Sequence, residues 1–267
     1  MAWGGVSDEL LPVILPVAAY WTTSGFYQVM LMRSGTKHRL FTSEEESARN
    51  LVSRRQVFVR VLQHQTMQMT LAAAVFMGAG GKGTTAASIA AEKVWPPLTA
   101  SLLQMARQVA VAMLFIDAWQ YSWHRLTHTS KFLYKHVHSF HHRMVVPYAY
   151  GAQYFHPVDA FVGEIVGGVL STVVSGMPPR TAAVFFSVLT IKGVDDHCGL
   201  WFPNHPFHRF LCNNSAFHAF HHQHEGIKYN FSAYFFANWD KLLGTYMPYS
   251  VLERKGGGYE LRAAKDN

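Results

Sequence analysis

The sequence predicts an all-α protein: an integral membrane helical domain of about three spans plus a helical hairpin, topped by a cytosolic helical metal-binding cap. Three observations predict it. Charged residues make up only 15% of the 267 positions, against about a quarter in an ordinary soluble domain. Several long stretches carry no charge at all. Sixteen histidines are present, and most of them cluster at spacings that put imidazoles on one face of a helix. A hydrophobic content of 49% excludes a disordered chain, and two cysteines, Cys198 and Cys212, exclude a disulfide framework. The net charge of +7 suits an acidic surface such as phospholipid.

The N-terminal unit, residues 1–116, holds membrane helices and a loop. Leu10–Met32 is 23 residues without a charge, bounded by Asp8 and Glu9 before and Arg33 after; a span needs about 20. It reads as a span rather than a signal peptide, because its flank is acidic and no small-residue cleavage site follows. Val61–Gly81 is softer, with His64, Gln65 and Gln68, and suits a polar or interfacial helix. The glycine-rich run from Gly78 to Thr85 resembles a phosphate loop, but Lys82 is followed by Gly83 where Ser or Thr is needed, so it reads as a loop. Val94–Ile116, broken only by Arg107, is the third span.

The second unit, residues 117–267, contains a membrane hairpin over 160–191. Its apolar run, Ile165–Ile191, is interrupted by Gly176-Met177-Pro178-Pro179-Arg180, which favours two arms, each too short to cross alone. Charge sets the orientation. Between Arg33 and Arg60 lie Arg33, Lys37, Arg39, Arg49, Arg54, Arg55 and Arg60, whereas the next loop has only Lys82 and Lys93. The positive-inside rule places the first loop in the cytosol, and the histidine-rich segments then share that side. The triplets beginning at Asn213 and Asn230 are therefore expected to be unglycosylated.

His124 and His128 stand at i and i+4. His138, His141 and His142 stand at i, i+3 and i+4, and His218, His221 and His222 repeat that pattern. Imidazoles gathered on one face repel when protonated and lose solvation when buried neutral; a metal removes both penalties. Eight histidines exceed what one ion of four to six positions can use, so two metals are implied. His156 and His197 complete a set of ten, five per metal. Asp195 and Asp196 are expected to orient ligand imidazoles. His136, His205, His208 and His224 flank the boxes, and His38 and His64 are remote and ordinary. All-nitrogen ligation suits several metals. A site beneath a bilayer favours iron, because an unactivated lipid methylene offers nothing to acid–base or nucleophilic attack and needs an oxidant drawn from reduced iron and dioxygen. Trp119, Tyr121, Tyr148, Tyr150 and Tyr154 either shape an acyl tunnel or pack the core. Asp117 is placed to support His124 or His128.

The boxes, together with His138–Arg143, Val146–Ala152, Asp195–Leu200 and Trp239–Tyr249, resemble the fatty acid hydroxylase family of membrane di-iron proteins, which includes sterol desaturases. Within it they resemble the plant and fungal sphingoid-base C4-hydroxylase branch. The sequence departs from that branch at Ala219, where an acid is usual, at Asp159, where Glu is usual, and at His224-Glu225. The resemblance implies a di-iron monooxygenase that hydroxylates sphinganine or dihydroceramide at C4. It also implies O2 as co-substrate, electrons from NAD(P)H through a separate cytochrome b5 and its reductase, and an endoplasmic reticulum location. The rival within the family is very-long-chain aldehyde decarbonylation, which forms wax alkanes; longer members of that class carry a further C-terminal domain. A non-catalytic zinc store is a third reading. Nucleic acid is not an expected partner, since cytosolic loops at a lipid surface account for the charge. Homo-oligomerisation is left open.

Overall fold

The computed structural model describes residues 8–78 and 98–264. The run read as a loop after Gly78, and the residues after Ala264, lie outside the described residues. In chain order the helices are α1 (Leu11–Arg33), α2 (Ser43–Arg49), α3 (Arg54–Gly78), α4 (Leu98–Thr129), α5 (Lys131–His136), α6 (Pro157–Ser175), α7 (Pro179–Asp196), α8 (Pro206–Phe210), α9 (Ser215–His221) and α10 (Asn238–Leu242). The chain closes with an antiparallel pair, β1 (Tyr249–Glu253) and β2 (Tyr259–Ala263), in register from Tyr249↔Ala263 to Glu253↔Tyr259. The fold is thus mostly helical, with one hairpin that an all-α reading lacked.

Two of the described helices are long and apolar enough to cross a membrane: Thr99–Thr129, within α4, and Pro157–Ser175, which is α6. Three spans and a hairpin were expected. α1 has the length, but Tyr20, Trp21, Thr22, Thr23, Ser24 and Gln28 dilute its apolar run. α6 qualifies by itself because it starts at Pro157, well before the apolar run begins at Ile165. α4 has 32 residues, about 48 Å of helix, so it outruns a hydrocarbon layer of about 30 Å. The boundary drawn at residue 116 falls inside it, and one continuous helix carries both the third apolar stretch and the first histidine pair. Leu103, Leu114, Val173 and Val184 are more than 60% exposed, an apolar outer band of the kind that lipid covers.

Pairing of the long helices fixes which ends coincide. α1 runs parallel to α7: Asp8 pairs with Arg180 at one end, and Tyr27 donates to Asp195 at the other. α4 runs antiparallel to α6. Gln108 donates to the Gly176 carbonyl (2.7 Å), and Trp123 donates to Asp159 (2.7 Å) at the far end. Residues Ala160–Val166 of α6 form a π turn. Its carbonyls are met from α4, by Trp119 at Val162 (3.1 Å) and by Gln120 at Gly163 (2.8 Å). The approach is close: a Cβ on Gly167 would lie 2.5 Å from the Trp119 ring. Left-handed Gly176 (φ 65°) ends α6, and Pro179 opens α7.

The cap gathers on the end formed by the C-termini of α1, α4 and α7. Thr42 and Glu45 make a capping box on α2, and Asn214 caps α9 through the Phe217 N–H (3.0 Å). The basic loop after α1 docks here, with Leu51 N–H on the Arg143 carbonyl (2.8 Å) and Asn50 on Val146 (3.0 Å). Its Leu40 N–H reaches Gly199 (3.0 Å). Gly199 has φ +69°, and a Cβ there would lie 2.7 Å from the Pro147 oxygen. The basic loop and the two histidine-rich segments thus lie at the same end of the helices. Asn213 and Asn230 are at most 1% exposed, so the fold leaves no room for a glycan on either.

Candidate metal centre

Four segments deliver the histidines. His124 and His128 stand one turn apart near the end of α4. His138, His141 and His142 sit on a 3-10 turn, His138–Arg143, rather than the α-helix that their spacing predicted; Val137 before it has a non-helical backbone that breaks the run from α5. His197 follows the last residue of α7, and α9 carries His218 and His221, with His222 as its C-cap.

These side chains form two neighbouring groups. One holds His124, His128, His138, His142 and His221; the other holds His141, His197, His218 and His222; within each, the ligand atoms lie within 4.8 Å of one another. The His-His doublets divide: His141 and His142 enter different groups, as do His221 and His222. The groups abut, with His142 and His222 ring centroids 4.7 Å apart.

The outer nitrogens are held by the fold. Nδ1 of His124 faces the Phe231 carbonyl (2.7 Å), that of His141 faces Tyr154 (3.1 Å), and that of His197 faces Gly193 (2.8 Å). Nδ1 of His221 faces the Tyr229 carbonyl (2.7 Å) and that of His222 faces Met144 (2.9 Å). His138 Nδ1 meets the Asp159 carboxylate at 2.6 Å. Each acceptor fixes the proton on Nδ1 and turns the Nε2 lone pair inward. Facing Nε2 atoms lie 3.1 Å apart for His128 and His142, 2.9 Å for His197 and His218, and 3.0 Å for His218 and His222. Metal–imidazole bonds of about 2.1 Å at right angles give an edge of about 3.0 Å. Nε2 of His138 and His221 is buried without any hydrogen-bond partner. Burial, and then neighbouring histidines, hold His141, His142 and His218 well below the ordinary imidazole range; burial is also the main cause for His221 and His222. His197 is pushed down to about 4 by burial. Neutral imidazoles with converging lone pairs fit a pair of divalent transition-metal ions.

His156 is not brought to either group. It is the N-cap of α6, where its Nδ1 accepts the Val158 N–H at 3.3 Å. The expected five and five is therefore five and four. Asp195 and Asp196 do not orient ligands either. Asp195 receives Tyr27 and His208, and Asp196 pairs with buried Lys192. Backbone carbonyls take that role, and the one carboxylate that shares it is Asp159, also held by Trp123. Asp195, His205 and His208 form a third cluster. Because His208 Nδ1 accepts the Phe202 N–H (3.0 Å), its proton sits on the Nε2 that faces Asp195, and no lone pair remains there for a metal. Asp117 contacts Trp239 and Phe236 rather than His124 or His128.

A cavity of about 890 Å³ opens on the two groups, with His124, His138, His141, His197 and His218 in its wall. It extends between α1, α6 and α7 to Glu9, Pro12 and Val173. From Asp159 to Val173 it follows about 21 Å of α6, length enough for most of a long acyl chain. The tunnel aromatics are Tyr20, Trp123, Phe155, Phe161, Phe186 and Tyr234. Trp119, Tyr121, Tyr148, Tyr150 and Tyr154 are outside its wall and pack instead; Tyr148 and Tyr154 belong to the core with Tyr20 and Val57.

The family model described as fatty acid hydroxylase matches residues 109–245. Sphinganine C4-monooxygenase 2 of Arabidopsis thaliana is 48% identical over 97% of this chain and 96% of its own. Very-long-chain aldehyde decarbonylase GL1-9 of Oryza sativa subsp. japonica is 45% identical over 99% of both chains. Sphingolipid C4-hydroxylase SUR2 of Saccharomyces cerevisiae is 36% identical over 90% of this chain and 72% of its own. No solved structure matches.

Proposed function

The chain belongs to the fatty acid hydroxylase family, and from that premise we propose that it is a membrane di-iron monooxygenase that hydroxylates a long-chain sphingoid base at C4. The observation that carries the reading is the pair of histidine groups opening onto one long apolar cavity. His124, His128, His138, His142 and His221 would hold one iron, and His141, His197, His218 and His222 the other. Bound iron with O2 supplies the oxidant that an unactivated methylene requires. One oxygen atom enters the C–H bond and the other leaves as water, with two protons and two electrons from NAD(P)H through a separate cytochrome b5 and its reductase.

The chain's own residues set the conditions. Carbonyls of Phe231, Tyr154, Gly193, Tyr229 and Met144, and the Asp159 carboxylate, lock the imidazoles before substrate arrives. The apolar wall from Pro12 to Val173 takes the tail and keeps water from the reacting carbon. The basic loop docked at the histidine end supports a cytosolic orientation. We place the protein in the endoplasmic reticulum membrane, as a multi-pass chain.

A second reading has an observation in its favour. The rice relative named an aldehyde decarbonylase is matched over 99% of both chains, so chain length does not separate the two reactions. Product analysis does. In a yeast strain lacking its own sphingolipid C4-hydroxylase, this protein is expected to restore 4-hydroxysphinganine, and His141→Ala to abolish it. Alkanes without hydroxylated base would select the aldehyde reaction instead.

A further inference from the structure

Close to the histidines, the cavity wall holds a carboxylate on a membrane-spanning helix. Glu164 of α6 lies five residues, about 7.5 Å of helix axis, beyond Asp159, which touches His138. Its Oε2 accepts from Gln68 (3.3 Å) and Gln153 (3.5 Å) and lies 3.2 Å from His64 Nε2. Gln65 donates to Gln153 (2.9 Å) and ties the group to α3. The cluster adjoins the metal centre: the His64 ring is 6.1 Å from Phe155, and Phe155 stacks on His141 at 4.8 Å. An ionisable side chain inside a span is costly and marks function by default.

The electrostatics are one-sided. The described residues lining the cavity include the carboxylates of Glu9, Asp159, Glu164 and Asp196, and no Lys or Arg. Asp159 is committed to His138 and Trp123, and Asp196 to Lys192. Glu9 lies at the opposite end, near Asp8 and Arg180. Glu164 faces an imidazole and two amides. His64 Nδ1 is 3.2 Å from the Gln153 carbonyl and its Nε2 faces the Glu164 carboxylate, which raises the His64 pKa against the effect of burial. A cation entering the cavity meets the Glu164 carboxylate in its wall.

We propose that Glu164, backed by His64, Gln68 and Gln153, is the subsite for the protonated amine of a free long-chain base. The inference rests on the hydroxylase reading and deepens it. The amine of such a base is three bonds from C4, so anchoring it at Glu164 presents the neighbouring carbons to the histidine groups. The tail then follows α1 and α6 toward Pro12 and Val173. An N-acylated base and an aldehyde carry no ammonium, so the subsite selects the free amine over both.

The test is equilibrium binding to the iron-loaded protein in lipid nanodiscs, followed by Trp fluorescence, with sphinganine and N-acetylsphinganine as probes. Wild type is expected to bind sphinganine more tightly. Glu164→Gln keeps the hydrogen bonds and removes the charge. It is expected to weaken sphinganine about ten- to a hundredfold and to change N-acetylsphinganine by less than about twofold. Glu164→Asp, which restores the charge, is expected to recover the preference. Equal binding of both probes by wild type, or equal loss of both in Glu164→Gln, would overturn the subsite. The binding arm needs no turnover, so its failure is distinct from a failure to form hydroxylated product.

Discussion

Six histidines in the two groups, His124, His138, His141, His197, His221 and His222, are oriented by what grips the outer nitrogen. For His124, His141, His197, His221 and His222 the grip is a backbone carbonyl, which cannot be removed by a point mutation. For His138 it is Asp159. Asp159→Asn is therefore expected to lower metal affinity about 10- to 100-fold without unfolding the chain. Metal content after graded chelation measures this, and unchanged retention would show that His138 needs no carboxylate. His156 caps α6 instead of joining either group, so His156→Ala should keep the full metal content that His141→Ala loses. Equal loss in both would return His156 to the ligand set. Ala219, a departure from the branch pattern, is fully buried with Leu40, Phe41 and Val146; an acid there would meet apolar side chains.

At the scale of elements, the α4–α6 contact positions the histidine-bearing end. Trp119 and Trp123 lie against Gly167 and Gly163, while Trp119 and Gln120 satisfy carbonyls of the π turn. A π turn adds a residue to the helix and so helps set the face on which Asp159 meets His138 while Glu164 meets the cavity. Gly167→Val would drive a branched side chain into the Trp119 ring. It is expected to destabilise the fold by about 1–3 kcal/mol and to lower metal occupancy with it. Thermal unfolding in detergent measures the first, and a melting temperature equal to wild type would show that the two helices separate freely.

At the scale of the molecule, a cluster of buried neutral histidines ties stability to pH. His141, His142, His218, His221 and His222 are held well below the imidazole range, and His197 at about 4. In the unfolded chain they titrate near 6.5. Between those values the unfolded state binds more protons than the folded one, so stability falls as pH drops below about 6.5 and is level above it. Metal release on acidification adds to the loss, because protons compete for the same lone pairs. Melting temperatures of chelated and metal-loaded protein from about pH 7.5 down to about pH 5 test this; stability that rises on acidification would contradict a neutral cluster.

Much of this was legible in the chain itself. The i, i+3, i+4 spacing of the boxes, the charge-free stretches and the concentration of Arg and Lys between Arg33 and Arg60 determined a mostly helical chain with membrane-length apolar helices and a histidine cluster beside a basic loop. Those are local patterns, set by helix periodicity and by the cost of placing charge in an apolar layer. Tertiary structure decided what depends on the approach of distant segments. It sent His141 and His142 to different groups, as it did His221 and His222, and left His156 outside both. It drew the orienting acceptors from backbone carbonyls, which no residue identity reveals. It also set Glu164 against His64 and Gln68, about a hundred positions away, making a polar cluster of residues that look unremarkable singly. The closing strand pair was missed because β1 and β2 are five residues each, too short for their alternation to stand out, and they are stabilised by docking on the loop around Arg39.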